Sequence, residues 1–453
     1  MSEKLTKDAI DLSTLSIPRL FGRYFLPTLL GMLSISAMTA IDGIFVGHAV
    51  GADGIAAINI CVPIFMLATG LGLMMGAGCS VVASIHMAQH KLKAARINVS
   101  QAWIFATLAI MAMIVPAMIF PSAIGRILGS SDALLPLVRE YMLGFIPGEL
   151  FGVWAALLLF VIRLDGNPRL AMWCNVVGAG ANIVLDWLMI VHLDWGLFGA
   201  ALASTLSMFI SGMIAVWYML FGARQLRPIR LKLSRRSLLY SVRNIGYQCT
   251  VGISALLGEC TMAVLALVGN YVFGMYLGDA GIGAFGIACY YTPFVYMIGN
   301  AVAQSAQPIV SFNYGSGNSS RVSFTLRVAL LTAMACGAAV SGAFVLFPNQ
   351  LVELFIVNTE LAFPLAVKGF PLIATSFVFF IINLTCIGYF QSVERVRPAL
   401  LFSLLRGLVF LVPSFIVLPL AFGETGLWLA LGLSEMLTTV SIIGYLAYCN
   451  KRG

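Results

Sequence analysis

Charged side chains are scarce in this sequence. Asp, Glu, Lys and Arg make up 10% of its 453 residues, whereas a soluble domain carries about 25%. Hydrophobic residues make up 60%, and the mean hydropathy is +0.97. Because so few polar groups could not cover a water-exposed surface, lipid must be the main solvent. The composition predicts a polytopic membrane protein.

Several functional motifs are also missing. No G-K-[ST] loop occurs for an ATP-driven pump, and no H-E-x-x-H or C-x-x-C for metal or redox chemistry. The Y-D and G-x-G-D motifs of membrane aspartyl proteases are absent too. No basic stripe with interleaved aromatics indicates nucleic-acid binding. We therefore expect neither an enzyme nor a cofactor, no nucleic-acid partner, and a monomer in the lipid bilayer.

Long apolar stretches dominate what is present. A membrane-spanning helix needs about 20 mainly apolar residues, and its backbone must be satisfied internally, which favours helix. The sequence predicts an all-α protein with twelve transmembrane helices. They cover residues 24–47, 55–84, 97–121, 136–162, 168–191, 196–221, 244–274, 282–311, 322–347, 364–391, 398–420 and 426–449.

Lys and Arg are distributed unevenly between the two sides of these spans. The termini and the even-numbered connections carry 22, the opposite side carries three, and Arg406 lies within a span. Since cytoplasmic loops are enriched in Lys and Arg, both termini are predicted to be cytoplasmic. We expect the protein in the cell (inner) membrane.

The two halves of the chain repeat each other. "GADGIAAINI" (51–60) matches "GDAGIGAFGI" (278–287), and "DWGLFGAAL" (194–202) matches "ETGLWLALG" (424–432), at offsets of 227 and 230 residues. Each copy has six spans, so the copies are parallel, an arrangement typical of transporters. We predict an N-terminal lobe (1–221), a basic cytoplasmic linker (222–243) and a C-terminal lobe (244–453).

Six charged residues fall well inside predicted spans. Each costs about 2.5–3.5 kcal/mol at a helix centre, so function is the first hypothesis for each. The alternative is an internal ion pair or hydrogen-bonded acid that only positions helices. The six are Asp42, Glu149, Asp186, Glu259, Arg406 and Glu435.

Depth singles out the acids of spans 1 and 5. At 1.5 Å per residue, Asp42 and Asp186 each lie about 27 Å from the cytoplasmic start of their span. Asn182 lies one turn below Asp186 on the same face, and Ser204 and Thr205 of span 6 lie at nearly the same depth. We expect these groups to converge inside the first six spans. They could exchange a proton or hold Na⁺, and the sequence leaves both open.

The second half does not duplicate this pair, because Gly269 and Ile416 occupy the corresponding positions. Glu259 in span 7 is the leading acid there, with Arg406 as a candidate partner. Glu149 and Glu435 are further acid candidates.

These features resemble the multidrug and toxic compound extrusion (MATE) transporters over residues 20–450. The resemblance rests on the twelve spans in two parallel halves, on "AIDGIFVGHAVGADGIAAI" (40–58) and on "NIVLDWLMI" (182–190). It implies an antiporter, driven by inward H⁺ or Na⁺, whose two rocking lobes expel lipophilic, often cationic drugs from a cavity between them.

The resemblance also assigns roles to residues. The family's acid in span 1 and N-x-x-x-D in span 5 fall on Asp42, Asn182 and Asp186, and its span 6 hydroxyl falls on Ser204. Span 1 is implied to bend at Pro27 when the acid is protonated. Another branch couples through acids in spans 7 and 10, but span 10 here has none. Coupling in the N-terminal lobe, as in the DNA-damage-inducible branch, is therefore favoured.

Cargo contacts are expected from aromatic and methionine side chains, which suit organic cations of varied shape. Lipid contact or helix packing is the alternative for each. The closest rival function is a flippase for a lipid-linked or other amphiphilic substrate, but acids in the cavity suit cationic cargo better. The candidate cavity residues are Met32, Met38, Met66, Tyr290, Tyr291, Phe294 and Arg406.

Overall fold

The computed structural model describes residues 12–231, 234–356 and 361–452, and these residues form helices with no strand among them. The first half contains eight α-helices. They are α1 (Ile17–Ala49), α2 (Ala52–Ala88), α3 (Leu92–Ile119), α4 (Pro121–Ile127), α5 (Leu135–Phe145), α6 (Glu149–Leu164), α7 (Pro168–Asp186) and α8 (Gly196–Trp217).

The described residues of the second half form seven helical segments of very different length. They are α9 (Arg235–Gly315), α10 (Ser319–Leu346), α11 (Pro348–Glu353), α12 (Ala362–Ile373), α13 (Thr375–Ser392), α14 (Val396–Leu404) and α15 (Leu411–Arg452). Two of them are interrupted by a non-helical glycine, Gly278 in α9 and Gly423 in α15. The predicted all-α membrane fold is confirmed.

Eleven helical segments of the described chain are long and apolar enough to cross a membrane. The last of them, Val396–Cys449, has 54 residues, far more than the roughly 20 that one crossing needs. It is interrupted at Gly423, whose φ is 57°, and it contains both of the last two predicted spans. The difference from twelve therefore reflects two spans joined end to end.

The turns between helices repeat along the chain. Positive-φ residues recur in pairs 227 or 228 positions apart, in the part of the chain that is described. Gly51 (φ 81°) and Gly278 (φ 61°), for example, are the first glycines of the repeated "GADG" and "GDAG" turns. Only glycine adopts this backbone conformation without strain. The duplicated turns thus support the internal repeat.

Local breaks in the helices fall where the ladder of backbone hydrogen bonds is disturbed. A 3₁₀ turn, Ile146–Gly148, separates α5 from α6 at Pro147, which has no N–H to donate. Wide π-helical turns follow α7 at Trp187–His192 and α14 at Leu405–Val409. Such turns insert an extra residue and often occur at functional sites.

The chain divides into two compact units. One comprises Met1–Leu256 with Ser311–Val322, and the other Leu257–Val310 with Ser323–Gly453. The start of α9, up to Leu256, therefore belongs to the first unit. The division into an N-terminal lobe, a linker at 222–243 and a C-terminal lobe stays a prediction.

The first unit is built from closely packed helix pairs. α1 packs on α7, α2 packs on α6, and α8 packs on both α6 and α7. Small residues allow these approaches, as is usual between membrane helices. A Cβ atom at Gly72 would lie 2.7 Å from Ala156, and one at Gly31 would lie 3.2 Å from Asn175. The pairing of α1 with α7 brings their acidic residues together.

The second unit has an aromatic core. Phe344 stacks on Phe370 with ring centroids 4.9 Å apart, and its edge meets Phe377 at the same distance. Phe273 meets the buried Trp428 at 4.8 Å. These rings fill the space between α9, α10, α12, α13 and α15.

Candidate functional site

Asp42 and Asp186 meet inside the first unit. Asp42 lies on α1, and Asp186 is the last residue of α7 before its π-helical turn. Their carboxyl groups are in hydrogen-bond contact with each other. Two ionised carboxylates are both acceptors, so this contact is a hydrogen bond only when one of them carries a proton.

No other donor of the described chain satisfies this pair. Both carboxylate oxygens of Asp186 and Oδ1 of Asp42 are buried without a donor, and Asp186 has no exposed surface. Neither acid belongs to an ion pair of the described residues. A buried charge in this situation is very costly. A proton or a cation bound at the pair would offset this charge.

The amide of Asn182 extends the polar cluster towards α8. Its Nδ2 donates to Ser204 Oγ at 3.4 Å, while its Oδ1 is buried without a partner. Ser204 thus lies next to the acid pair's helix, as the depth argument expects.

The side chain of Thr205 does not contact the Asp42–Asp186 pair. Its hydroxyl donates to the carbonyl oxygens of Gly144 (2.7 Å) and Phe145 (3.1 Å). These carbonyls lie at the 3₁₀ break before α6, where Pro147 removes a backbone donor. In this structure Thr205 stabilises a helix break and makes no contact with the acid pair.

Tyr141 is a member of this site that sequence reasoning missed. It is buried on α5 and interacts electrostatically with Asp42, Glu149 and Asp186. The sequence feature that could have indicated Tyr141 is its depth in the membrane. It lies only six residues into α5, about 9 Å from the start of that helix. Tyrosine is common in membrane spans, so this signal alone was weak.

Glu149 lies at the first turn of α6 and is 2% exposed. Its Oε1 is buried without a partner, and it forms no ion pair within the described chain. Glu149 and Asp186 are thus both buried in the first unit, and no ion pair among the described residues compensates either of them.

The second unit contains a buried ion pair. Arg406, in the π-helical turn after α14, donates from Nε to Glu435 Oε1 at 2.7 Å, and both side chains are at most 2% exposed. Asn383 donates to Glu435 Oε2 at 2.7 Å and accepts from Thr439. The Arg406 guanidinium also lies 4.0 Å above the ring of Phe380.

Glu259 has a different partner from the one expected. Tyr296 donates to Glu259 Oε1 at 3.0 Å, whereas Arg406 is paired with Glu435. The pairing of Glu259 with Arg406 was therefore wrong, because α14 and its π turn direct the guanidinium at α15. The sequence did not single out Asn383 or Tyr296 as partners of these acids.

The candidate cargo residues are divided between the two compact units. Tyr290 is 54% exposed and stacks on Phe355, whereas the Tyr291 hydroxyl donates to the Leu351 carbonyl. Phe294 is partly buried on the same helix. The methionines lie in the other compact unit, where Met32 is buried and Met38 and Met66 are partly buried.

Pro27 lies inside α1, which runs without interruption from Ile17 to Ala49. Proline cannot donate a backbone hydrogen bond, so the ladder of α1 lacks one bond here. The helix that carries Asp42 therefore has a weak point about 22 Å along from that acid.

Comparison with known proteins agrees with the internal repeat. The profile of the MatE family matches residues 27–188 and, a second time, residues 255–416. These two ranges are offset by 228 residues, the spacing of the repeated turns.

Relatives match along nearly the whole chain. The multidrug export protein MepA of Staphylococcus aureus (strain MRSA252) is 23% identical over 421 residues, 92% of this chain and 91% of the relative. MepA of Staphylococcus haemolyticus is 24% identical over 433 residues, 93% and 91% of the two chains.

A solved structure shares the fold. A MOP superfamily transporter from Pyrococcus furiosus superposes with a TM-score of 0.88 at 21% identity, covering 98% of each chain. The family profile covers most of the chain in two copies. The chain therefore belongs to the MatE family and is a multi-pass membrane transporter of small molecules, not an enzyme.

Proposed function

We propose that this protein is a secondary active antiporter that exports lipophilic, cationic compounds in exchange for protons bound by Asp42 and Asp186. The observation that carries the proposal is the contact between the fully buried carboxyl group of Asp186 and that of Asp42, whose Oδ1 is also buried. No other described donor reaches these three buried oxygens. One proton shared between them supplies the missing hydrogen bond and halves the buried charge.

The geometry supports coupling through α1 and α7. When the proton leaves, two adjacent carboxylates repel each other in a low-dielectric interior. Separation of these helices or entry of a cation relieves the repulsion. Asn182 and Ser204 can orient the Asp186 side of the pair, and Pro27 offers α1 a place to bend. Proton exchange at the pair is thereby linked to a conformational change.

The relatives support export of drugs as the biological role, since MepA is described as a multidrug export protein. The shared fold does not decide the cargo, because the Pyrococcus protein is described with a binding pocket of reverse polarity that suggests a different function for it. Among the described residues of the first unit, Asp42, Glu149 and Asp186 form no ion pair, which favours cationic cargo here. We place both termini in the cytoplasm and the protein in the cell inner membrane, from the Lys and Arg distribution.

Transport in proteoliposomes tests the proposal. Ethidium uptake or release is followed while a proton gradient or a Na⁺ gradient is imposed separately, with the membrane potential clamped. We expect movement under the proton gradient alone, and its loss in both Asp186→Asn and Asp42→Asn. Asp53→Asn makes the same chemical change at an exposed position and is expected to transport normally.

Each other outcome has a defined meaning. Movement driven only by Na⁺ would assign the acid pair to a metal cation instead of a proton. If wild type moves no dye under either gradient, cationic drug export fails, and an amphiphilic or lipid-linked cargo is tested next. Normal transport by Asp186→Asn would make that acid structural.

A further inference from the structure

The connection between α8 and α9 carries positive charge and no negative charge. No Asp or Glu occurs between Asp194 and Glu259, whereas seven Lys and Arg lie within residues 222–243. None of its exposed arginines forms an ion pair with a described residue. Positive charge concentrated in this way attracts anions. We call five of these exposed residues the arginine surface: Arg227, Arg230, Arg235, Arg236 and Arg243.

Asp165, directly after α6, contacts this connection without neutralising its guanidinium groups. Its Oδ1 accepts from the backbone N–H groups of Gln225 and Leu226, both at 2.8 Å. Its Oδ2 accepts from the N–H of Arg224 at 2.7 Å and from the Tyr218 hydroxyl at 2.8 Å. The Asp165 side chain is buried. Its charge therefore fixes the backbone of the connection, since hydrogen bonds to an ionised acceptor are strong.

The start of α3 provides two further anchors for the same stretch. Arg96 Nε donates to the carbonyl oxygen of Gln225 at 2.6 Å. The hydroxyl oxygen of Ser100 accepts from the N–H of Ile229 at 2.8 Å. The backbone between α8 and α9 is thus held to two other helices of the first unit by side-chain hydrogen bonds.

These anchors determine which side chains face outwards. Leu226 is fully buried and Ile229 is partly buried, whereas the residue that follows each of them, Arg227 and Arg230, is exposed. The guanidinium groups are therefore attached to a backbone that is already ordered. Binding of an anion to them loses less conformational entropy than binding to a mobile loop would.

Apolar side chains flank the arginines on both sides along the chain. Trp217 and Phe221, at the end of α8, are each more than half exposed, and so are Leu239 and Val242 in the first turns of α9. In a membrane-spanning chain such side chains lie against lipid, and Trp is typical of the membrane interface. The arginines between them therefore lie at the level of the lipid headgroups. This position favours a phospholipid over a soluble anion or a nucleic acid.

We propose that the arginine surface binds the phosphate groups of anionic phospholipids in the adjacent leaflet, and that Asp165 is the residue that positions it. A guanidinium group donates paired hydrogen bonds to phosphate oxygens, which suits arginine to this partner. Clusters of basic residues next to a membrane helix are typical of anionic-lipid binding. This inference depends neither on the coupling ion nor on the cargo of the transporter.

Three variants test the surface and its anchor. Arg227→Gln/Arg230→Gln removes two charges from the arginine surface. Arg126→Gln/Arg139→Gln makes the same charge change at exposed positions on the predicted opposite side of the membrane. Asp165→Asn leaves every arginine in place, removes one of the two acceptor oxygens and makes the protein more positive by one charge.

Native mass spectrometry of the protein in detergent measures lipid binding directly. Size-exclusion chromatography first selects folded, monodisperse protein of each variant. The samples are titrated with dioleoylphosphatidylglycerol, with dioleoylphosphatidylcholine and with glycerol 3-phosphate. The two lipids have the same acyl chains and differ in net charge, and glycerol 3-phosphate supplies a phosphate without acyl chains. Transport is not needed for this readout, so failure of the proposed antiport would leave the test intact.

We expect wild type to bind phosphatidylglycerol about tenfold more tightly than phosphatidylcholine, and Arg227→Gln/Arg230→Gln to bind phosphatidylglycerol about 30-fold more weakly than wild type. The Arg126→Gln/Arg139→Gln control should bind it as wild type does. Equal affinity of wild type for the two lipids would overturn the inference. Wild-type binding by Arg227→Gln/Arg230→Gln would do so too, as would glycerol 3-phosphate binding as tightly as the lipid.

Asp165→Asn separates an ordered surface from net charge alone. If only net charge mattered, this variant would bind phosphatidylglycerol more tightly than wild type, because it is more positive. We expect weaker binding, since the backbone that carries Arg227 and Arg230 loses part of its anchor. Unchanged or tighter binding by Asp165→Asn would refute its positioning role.

Discussion

Removing Arg406 should destabilise the protein far more than removing both members of its ion pair. In Arg406→Met the carboxylate of Glu435 stays 1% exposed and loses its 2.7 Å charge-assisted hydrogen bond, keeping only Asn383 as a side-chain donor. Leaving one charge of a buried pair uncompensated costs about 3–5 kcal/mol. The lost contact with Phe380 acts in the same direction.

The double variant Arg406→Met/Glu435→Met provides the contrast. Both charges disappear together and the methionines fill similar volume, so its unfolding free energy should stay within about 1 kcal/mol of wild type. A double-mutant cycle should then give a coupling energy of about 3 kcal/mol or more, well above the roughly 0.5 kcal/mol scatter for independent sites.

The free energy of unfolding can be measured by adding sodium dodecyl sulfate to the purified protein in mild detergent micelles, with tryptophan fluorescence as the signal. Size-exclusion chromatography before the titration selects folded protein. An Arg406→Met variant within 1 kcal/mol of wild type would refute the assignment of a compensated charge pair, as would a double variant as unstable as the single one.

Two further substitutions test packing and the helix break. Gly252→Ala should abolish folding or transport, because its new methyl group would overlap the carbonyl oxygen of Met74. Gly246→Ala is the control: its Cβ would lie in open space, so the same expression and transport assays should show no loss. Thr205→Val should lower the free energy of unfolding by about 1–3 kcal/mol, since it leaves the Gly144 carbonyl without its 2.7 Å donor; Thr205→Ser keeps the hydroxyl and should stay close to wild type.

The position of each acid along the membrane could be predicted from the sequence. An α-helix rises 1.5 Å per residue, so counting from the polar end of a span gives depth directly. This argument put Asp42, Asn182, Asp186 and Ser204 at one level, and in the structure the two acids touch while Asn182 donates to Ser204.

Direction around a helix could not be predicted in the same way. Thr205 is adjacent to Ser204 in sequence, yet one residue along a helix turns the side chain by about 100°, and its hydroxyl points at α5 instead. The π-helical turn at Leu405–Val409 adds a further residue and rotates the positions around it. Arg406 therefore meets Glu435 and leaves Glu259 to Tyr296.

The amino-acid sequence by itself determined three properties. Composition determines that the chain is a membrane protein, and the need to satisfy backbone groups within each segment makes it helical. The spacing of similar segments along the chain determines that its halves repeat. Only the tertiary structure decided which buried groups meet. Helix rotation, the 3₁₀ break at Pro147 and the π turns depend on how neighbouring helices pack. Those contacts brought the carboxyl groups of Asp42 and Asp186 together and left Glu149 without a partner for its Oε1 among the described residues.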